Sequence, residues 1–534
     1  MTALACAIGL TVKYGSAYRP VVEPVREIEE IWALEDAREE SGEPLVTRLF
    51  CNGVPMAYDA ENNVFYGSLG LENGAQWPEI KLTASEEAAK GLSLCFADDY
   101  GFDDCDAAIR EGYSYQIFAY TDTAYSYAEV VFTGLPLVNV TAEQTIERED
   151  VPAQIEIALA AEGLQTNGRI HKRGGASILN DKVGYKLEFT RTTDGKKKIY
   201  REIPGMGTDS QVILLPMNAL DTTMMRDRLS WALYARLTRR DEPFSARKTQ
   251  YCELFLNGEY RGVYLMLEPF SVRQEVAKAG EERLTTDSVY RTAVISLSHG
   301  RPCMEDPYSA ATGFELYYPM DGEPDFSPLA DYFALLGETD DAAFMRRAAQ
   351  IIDLDSALRY DVVLQLFGLT DNVINNMYTW AQNSRGHTRY RFDFWDLDVS
   401  WGLKRDEIGE MHENWVFFPL VDRLLRADEE GGVRKRYGEI YREVREKAFD
   451  AETVEALVGQ YAHELNDSGA MARNAERWET ENYAADGYEL VAFSAERIAL
   501  LDEPVRAMSA GEEIDLRFLE KTNYDDKGTP LTEE

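Results

Sequence analysis

The stretch that decides the fold runs from Asp371 to Gly402, DNVINNMYTWAQNSRGHTRYRFDFWDLDVSWG. Met377-Tyr378-Thr379-Trp380 suits a strand, Asn383-Ser384-Arg385-Gly386 a turn, and Tyr390 to Trp395 the returning strand. The two ends of a β-hairpin lie side by side. This order therefore brings Asp371 and Asn376, ahead of the first strand, close to Asp396 after the second. An Asp-Asn pair behind an apolar helix most often only caps it or forms an Asx-turn. Trp395-Asp396-Leu397-Asp398 argues for more, because it sets two carboxylates among bulky apolar residues at a strand end. Solvated surface acids have little reason to sit there.

An Asp, an amide five residues later, a hairpin and a further Asp is also the order in which protein kinases present their catalytic base and two Mg²⁺ ligands. The upstream segments follow the same order. Arg173-Gly174-Gly175-Ala176-Ser177 is a small-residue turn that can offer backbone N–H groups and a cation to phosphate. Lys186 stands inside the alternating segment Tyr185–Phe189; such a lysine is usually the solvent-facing member of a strand, but in a kinase it pairs nucleotide phosphates. The hairpin of Tyr251 to Glu268, turning at Asn257-Gly258, ends at Leu267-Glu268-Pro269, where a kinase hinge meets adenine. No single piece of this series is decisive; the shared order is what points to phosphoryl transfer.

Composition narrows the field. The chain has 534 residues, room for two or three domains, and 94 Asp+Glu against 55 Lys+Arg give a formal charge of −39. Polyanions are repelled by such a surface, which argues against nucleic acid or anionic membrane as partner and is compatible with a basic protein substrate. The six cysteines lack zinc-site spacing, and the five histidines are dispersed. Cys95 and Cys105 could pair in an oxidising compartment, with the pairing left open by the sequence. No apolar run reaches the 18 residues a spanning helix needs. The opening MTALACAIGLTV reads as the remnant of a signal or anchor segment.

The expected fold class is α+β. Residues 1–44 form an N-terminal segment with a helix around Val25 to Arg38, and residues 45–135 a β-rich, sandwich-like accessory module. Residues 136–510 form a two-lobed, kinase-like domain with a helical C-terminal part, and 511–534 an acidic, loose tail. Within the large domain, Gln154–Leu159 and Tyr185–Thr190 read as strands. Asn218–Leu237 reads as an amphipathic helix, and Leu358, Val362, Leu366 and Leu369 as a helix leading into Asp371.

The segments RGGAS (173–177), KVGYKLEF (182–189), MMRDRLSWALYARL (224–237), ELFLNGEYRGVYLMLE (253–268), DNVINNMY (371–378) and FDFWDLDVSWG (392–402) closely resemble the CotH family of spore-coat-associated atypical kinases. That family also occurs in bacterial surface and secreted proteins. The resemblance covers roughly residues 136–505 and includes Phe493, Arg497, Leu501 and Asp502 of a closing helix. It implies Asp371 as catalytic base, Asn376 and Asp396 as ligands of Mg²⁺ or Mn²⁺, and Asp398 in support. Lys186 is implied on the ATP phosphates, the loop of Arg173, Gly174, Gly175 and Ser177 over them, and Glu268 at the adenine end. Two departures stand out: RGGAS where the family commonly has RGNSS, and Asp393-Phe394 where a small residue and Pro often precede WDLD.

The reading that follows is an ATP-dependent Ser/Thr kinase acting on a basic, Ser-rich coat or surface protein, outside the cytoplasm. Transfer of AMP by the same fold is one alternative, and a surface, adhesion or coat-assembly protein without turnover is another. The acid that pairs Lys186 is left open, with Asp227 among the candidates.

Overall fold

The computed structural model describes residues 20–512 apart from 25, 72–79, 86–90, 98–104, 175, 218–220, 240–241, 281, 283–284, 294–313, 320–324, 385, 404–414, 417 and 480–485. The opening segment 1–12 and the acidic tail beyond 512 therefore lie outside the described residues. Several sheets and many helices make the chain α+β.

A closed seven-stranded barrel stands at the centre. Its wall runs through Leu137–Thr141, Val151–Leu159, Glu162–Arg173, Gly184–Thr190, Gln211–Leu215, Glu259–Leu267 and Thr249–Leu256. Neighbours pair antiparallel except at the closure, where Leu137–Thr141 runs parallel to Thr249–Leu256 with Val138 beside Leu254. The hairpin turn falls at Asn257-Gly258 as expected, both residues at positive φ (54° and 79°), the twist-matched turn for a two-residue connection. The wall is buried on both faces along part of its circumference. Val212 and Leu214 fill the barrel with Leu187, Tyr264 and Met266, whereas Ile213 and Leu215, one residue out of phase, face a larger core with Leu265 and Leu267.

That larger core belongs to the C-terminal half. A four-stranded antiparallel sheet, ordered Phe314–Tyr318, Ser288–Ala293, Asn375–Ser384, His387–Phe394, packs among helices including Arg226–Ala235, Leu354–Phe367, Gly432–Lys447 and Tyr488–Ser509. The hairpin is present with a tighter connection than its sequence suggests, since pairing continues to Ser384 opposite His387.

Before the barrel, a seven-stranded and a three-stranded sheet share one core that includes Leu49, Phe65, Leu82, Leu94 and Ile117. Tyr66 and Val131 of this region join Leu137, Phe255 and Tyr260 in a further cluster, so its outer face is seated on the barrel. Cys95 and Cys105 are buried and not joined in a disulfide, so the pairing that oxidation could have made is not present. Burial pushes the Cys95 thiol up to about 11, as expected of an inert structural cysteine. Among the described residues no helix is long and apolar enough to cross a membrane.

One expected element starts later than expected, and one strand was not expected. The helix expected from Asn218 begins only at Arg226. Asp221 opens a turn ahead of the helix by accepting from the amides of Thr223 and Arg226, and Met224 sits at φ 57°, which a helix cannot contain. The polar stretch Glu162–Arg173 is a full strand with nine paired positions on one neighbour, which leaves Arg173 at a strand end.

Candidate functional site

The helix Leu354–Phe367 carries buried residues on nearly every face and ends at Gly368 in the left-handed conformation. A side chain at Gly368 is excluded twice. Its φ is +66°, and a Cβ would stand 2.8 Å from the ring of Phe493. The chain then makes a single helical turn, Asp371–Ile374, and enters the hairpin at Asn375. Asp371 is thereby buried at the mouth of the hairpin.

Around Asp371 the amides form a fixed frame. Asn376 donates through Nδ2 to Asp371 Oδ2 at 2.8 Å, and Asn375 donates to Oδ1 at 3.1 Å. Held by its amino group, Asn376 turns its side-chain carbonyl oxygen away from Asp371, and the site is half-buried there. The backbone of Asn376 accepts from the Trp395 amide at 3.0 Å, which sets Asp396 next to it as the hairpin's ends require. Asn372 locks the crossing: its Nδ2 donates to Trp395 O at 2.7 Å, and its own carbonyl accepts from Tyr360 at 2.6 Å. The sequence reading missed Asn372 and Asn375. The run of three amides in DNVINN was the available signal.

Asn376 and Asp396 share an unusual backbone, each at φ 57°. Residues other than glycine are held there only when their surroundings impose it, and such positions concentrate at functional sites. Asp396 and Asp398 are half-buried while Leu397, between them, is buried. The two carboxylates thus alternate to the open side of the segment. Behind them the buried Asp227 accepts from the Leu397 amide at 3.1 Å. Burial, reinforced by Asp398 and Asp396, pushes the Asp227 carboxyl well above its usual range.

The residues expected to cover phosphate come from the barrel side. The Arg173 guanidinium lies over the Trp395 ring, 5.8 Å from its centre, so the loop reaches the residue that precedes Asp396. Gly174 has φ +127°, and a Cβ there would meet Ser177 Oγ at 2.4 Å, which ties the glycine to its position. Gly175 lies outside the described residues. Lys186 is on the outer face of its strand, opposite Ile213 and His171. Desolvation, then repulsion from Lys198, lowers its pKa, with Glu188 and Asp150 opposing. Asp227 is absent from that set; its carboxylate serves the 396–398 segment instead. Glu268 is engaged in the barrel wall: its amide donates to Lys248 O at 2.9 Å, and its carboxylate accepts from the Lys248 amide at 3.1 Å.

A short chain of hydrogen bonds thus runs from Asp371 through Asn376 to Trp395, the residue before Asp396, and Arg173 lies over the same segment. Lys186 and Glu268 are both on the barrel wall bordering the larger core. Among the described residues no group of three or more His, Cys, Asp or Glu gathers to hold a metal by itself. The donors at the hairpin mouth are an amide oxygen and a carboxylate. Such hard oxygen ligands suit Mg²⁺, which usually takes one or two carboxylates and completes its shell with phosphate and water. A family model described as CotH kinase protein matches residues 170–500, more than half of the chain and all of the site residues. Among curated proteins, none matches the chain.

Proposed function

The chain belongs to the CotH kinase family, and from that premise we propose that it transfers the γ-phosphoryl group of ATP to a Ser or Thr hydroxyl of a basic protein outside the cytoplasm. The observation that carries this reading is the bond from Asn376 to Asp371 at 2.8 Å, with Trp395 stitched to the Asn376 carbonyl. One residue thereby orients the base and offers an oxygen to metal.

In this reading the barrel and the C-terminal half form the two sides of the nucleotide site. Asn376 and Asp396 hold Mg²⁺ or Mn²⁺, Arg173 and the Gly174–Ser177 turn cover the phosphates, Lys186 neutralises them, and Glu268 lies toward the adenine. When bound, Mg²⁺ and ATP supply the transferable phosphoryl group and the charge neutralisation that in-line displacement needs. The work of the protein is positional. Asp371, with both oxygens fixed by amides, orients the acceptor hydroxyl and takes its proton. The amides keep that carboxylate from swinging onto the metal. The strongly acidic surface favours a basic acceptor and repels other polyanions.

Nucleotide titration followed by calorimetry, with and without Mg²⁺, tests the division of labour. D371N should bind Mg²⁺–ATP about as wild type does, and D396N should lose the metal-dependent part. Equal binding by D396N and wild type would remove Asp396 from the metal site. Intact-mass analysis of the product separates phosphoryl from AMP transfer.

A further inference from the structure

The N-terminal half of the Arg226–Ala235 helix holds the 396–401 segment at three places. Asp227 Oδ1 accepts from the Leu397 amide at 3.1 Å, Arg226 Nε donates to Ser400 O at 3.1 Å, and Ser230 Oγ accepts from Trp401 Nε1 at 2.9 Å. The helix is itself anchored. Tyr251, on the barrel wall, donates to Met224 O at 2.8 Å, and Leu229 and Leu233 are fully buried. Arg226 pairs further with Asp221 and with Glu489 on the closing helix.

Of the three contacts, the one from Asp227 bears directly on Asp396. The last ladder pair of the hairpin is Met377 with Phe394, and beyond it only the Trp395 amide is taken up by the strand partner. At Asp396 the chain turns into the left-handed region, which carries the next amide out of the ladder and into the interior. A buried N–H without an acceptor is costly, so that turn persists only if something accepts from Leu397. Asp227 is that acceptor, and it is buried with its helix.

We infer that Asp227 is a positioning residue for the metal-binding segment: by accepting from the Leu397 amide it fixes the backbone turn that aims Asp396 at the site. The inference rests on Asp396 being a metal ligand as proposed above. It also reassigns the helix. In a protein kinase an acid on a helix pairs the phosphate-binding lysine. Here Asp227 grips the metal segment, and the charged neighbours of Lys186 are Lys198, Glu188, Asp150 and Arg173. The metal segment is accordingly built before nucleotide arrives, and its geometry is coupled to the barrel through the anchored helix.

Hydrogen–deuterium exchange followed by mass spectrometry tests this on the full chain without requiring turnover. Peptides covering 395–402 in the wild type should exchange slowly in the absence of metal and nucleotide. Rapid exchange there would overturn the inference, whatever the variants do. D227L fills a similar volume without an acceptor and should speed exchange of these peptides about tenfold, the scale of one hydrogen bond to a buried group, with barrel peptides unchanged as the folding control. D227N keeps a carbonyl oxygen in place and should retain wild-type exchange. Loss of protection in D227N, or its retention in D227L, would contradict the assignment.

A functional readout separates positioning from general stability. The Mg²⁺ concentration for half-maximal nucleotide binding should rise about tenfold in D227L, as one lost hydrogen bond allows, and stay near wild type in D227N. The KM for ATP at saturating Mg²⁺ should move little. A wild type that binds no Mg²⁺–ATP would defeat the proposed function while leaving the exchange result to decide the role of Asp227.

Discussion

Two clusters of buried acid lie one helix apart and differ in kind. Asp361, inside the Leu354–Phe367 helix, is fully buried with both oxygens engaged, by Gln365 at 3.2 Å and Tyr437 at 2.8 Å. Its neighbour Asp422 accepts from Trp415 at 2.9 Å. Burial pushes the Asp361 carboxyl up to about 7 and that of Asp422 well above its ordinary range. By perturbation alone these would be the active site. The hairpin cluster has the other signature: Asn376 and Asp396 half-buried, both in left-handed backbone, with amide side chains converging on Asp371. The contrast teaches that a buried, perturbed acid can belong wholly to packing. On the assignment proposed above, the hairpin set differs in that its hydrogen bonds orient Asp371 while Asn376 and Asp396 stay half-buried.

The comparison breaks most sharply under mutation. D371N and D396N should each lower phosphoryl transfer by about three orders of magnitude or more, the scale of lost transition-state charge stabilisation, and D396N should do so with little change in thermal midpoint. D361N should leave the rate within about tenfold. An equal loss in D361N, in a steady-state assay with labelled ATP, would erase the distinction between the clusters.

Stability should show the reverse pattern. The folded protein keeps the Asp361 proton up to about pH 7, whereas the unfolded chain releases it near the ordinary value of 3.8. This contribution is therefore fully present below about pH 4 and is lost as pH rises through 7, with a slope approaching 1.4 kcal/mol per pH unit. Urea unfolding between pH 4 and 7 should show wild type losing stability faster than D361N. Parallel curves would mean that Asp361 is not held protonated.

Gly368 links the two clusters, since it ends the helix of one and leads into the other. G368A should cost about 1–3 kcal/mol, from the positive φ and the contact with Phe493. A urea midpoint equal to that of wild type would show that the helix end relaxes freely. The smallest effect belongs to R173A. Loss of the contact over Trp395 is worth about 0.5–1 kcal/mol, so the KM for ATP should rise a few-fold with kcat nearly unchanged.

Much of the site was readable in the chain because its signals are local. The hairpin follows from alternation across a turn, and Asp371, Asn376 and Asp396 follow from where a hairpin's ends must meet. What escaped depends on distant partners. The role of Asp227 rests on a contact 170 residues away. Barrel closure by Leu137–Thr141 on Thr249–Leu256 has no local pattern either, since only tertiary pairing decides it. The strand Glu162–Arg173 was hidden because its inward face holds Thr166 and Gly168 beside Leu164 and Ile170, alternating with Gln165, Asn167 and Arg169. Leu220 and Met224 continued a helical spacing through the Asp221 turn, where a side chain captures the amides that a helix would use.

The most direct measurement is transfer of labelled γ-phosphate from ATP with Mg²⁺ or Mn²⁺, comparing wild type with D371A on the protein itself and on a basic Ser-rich acceptor. The account predicts label with wild type and none above background with D371A. Equal labelling by both, or no label with wild type on either acceptor, would contradict it.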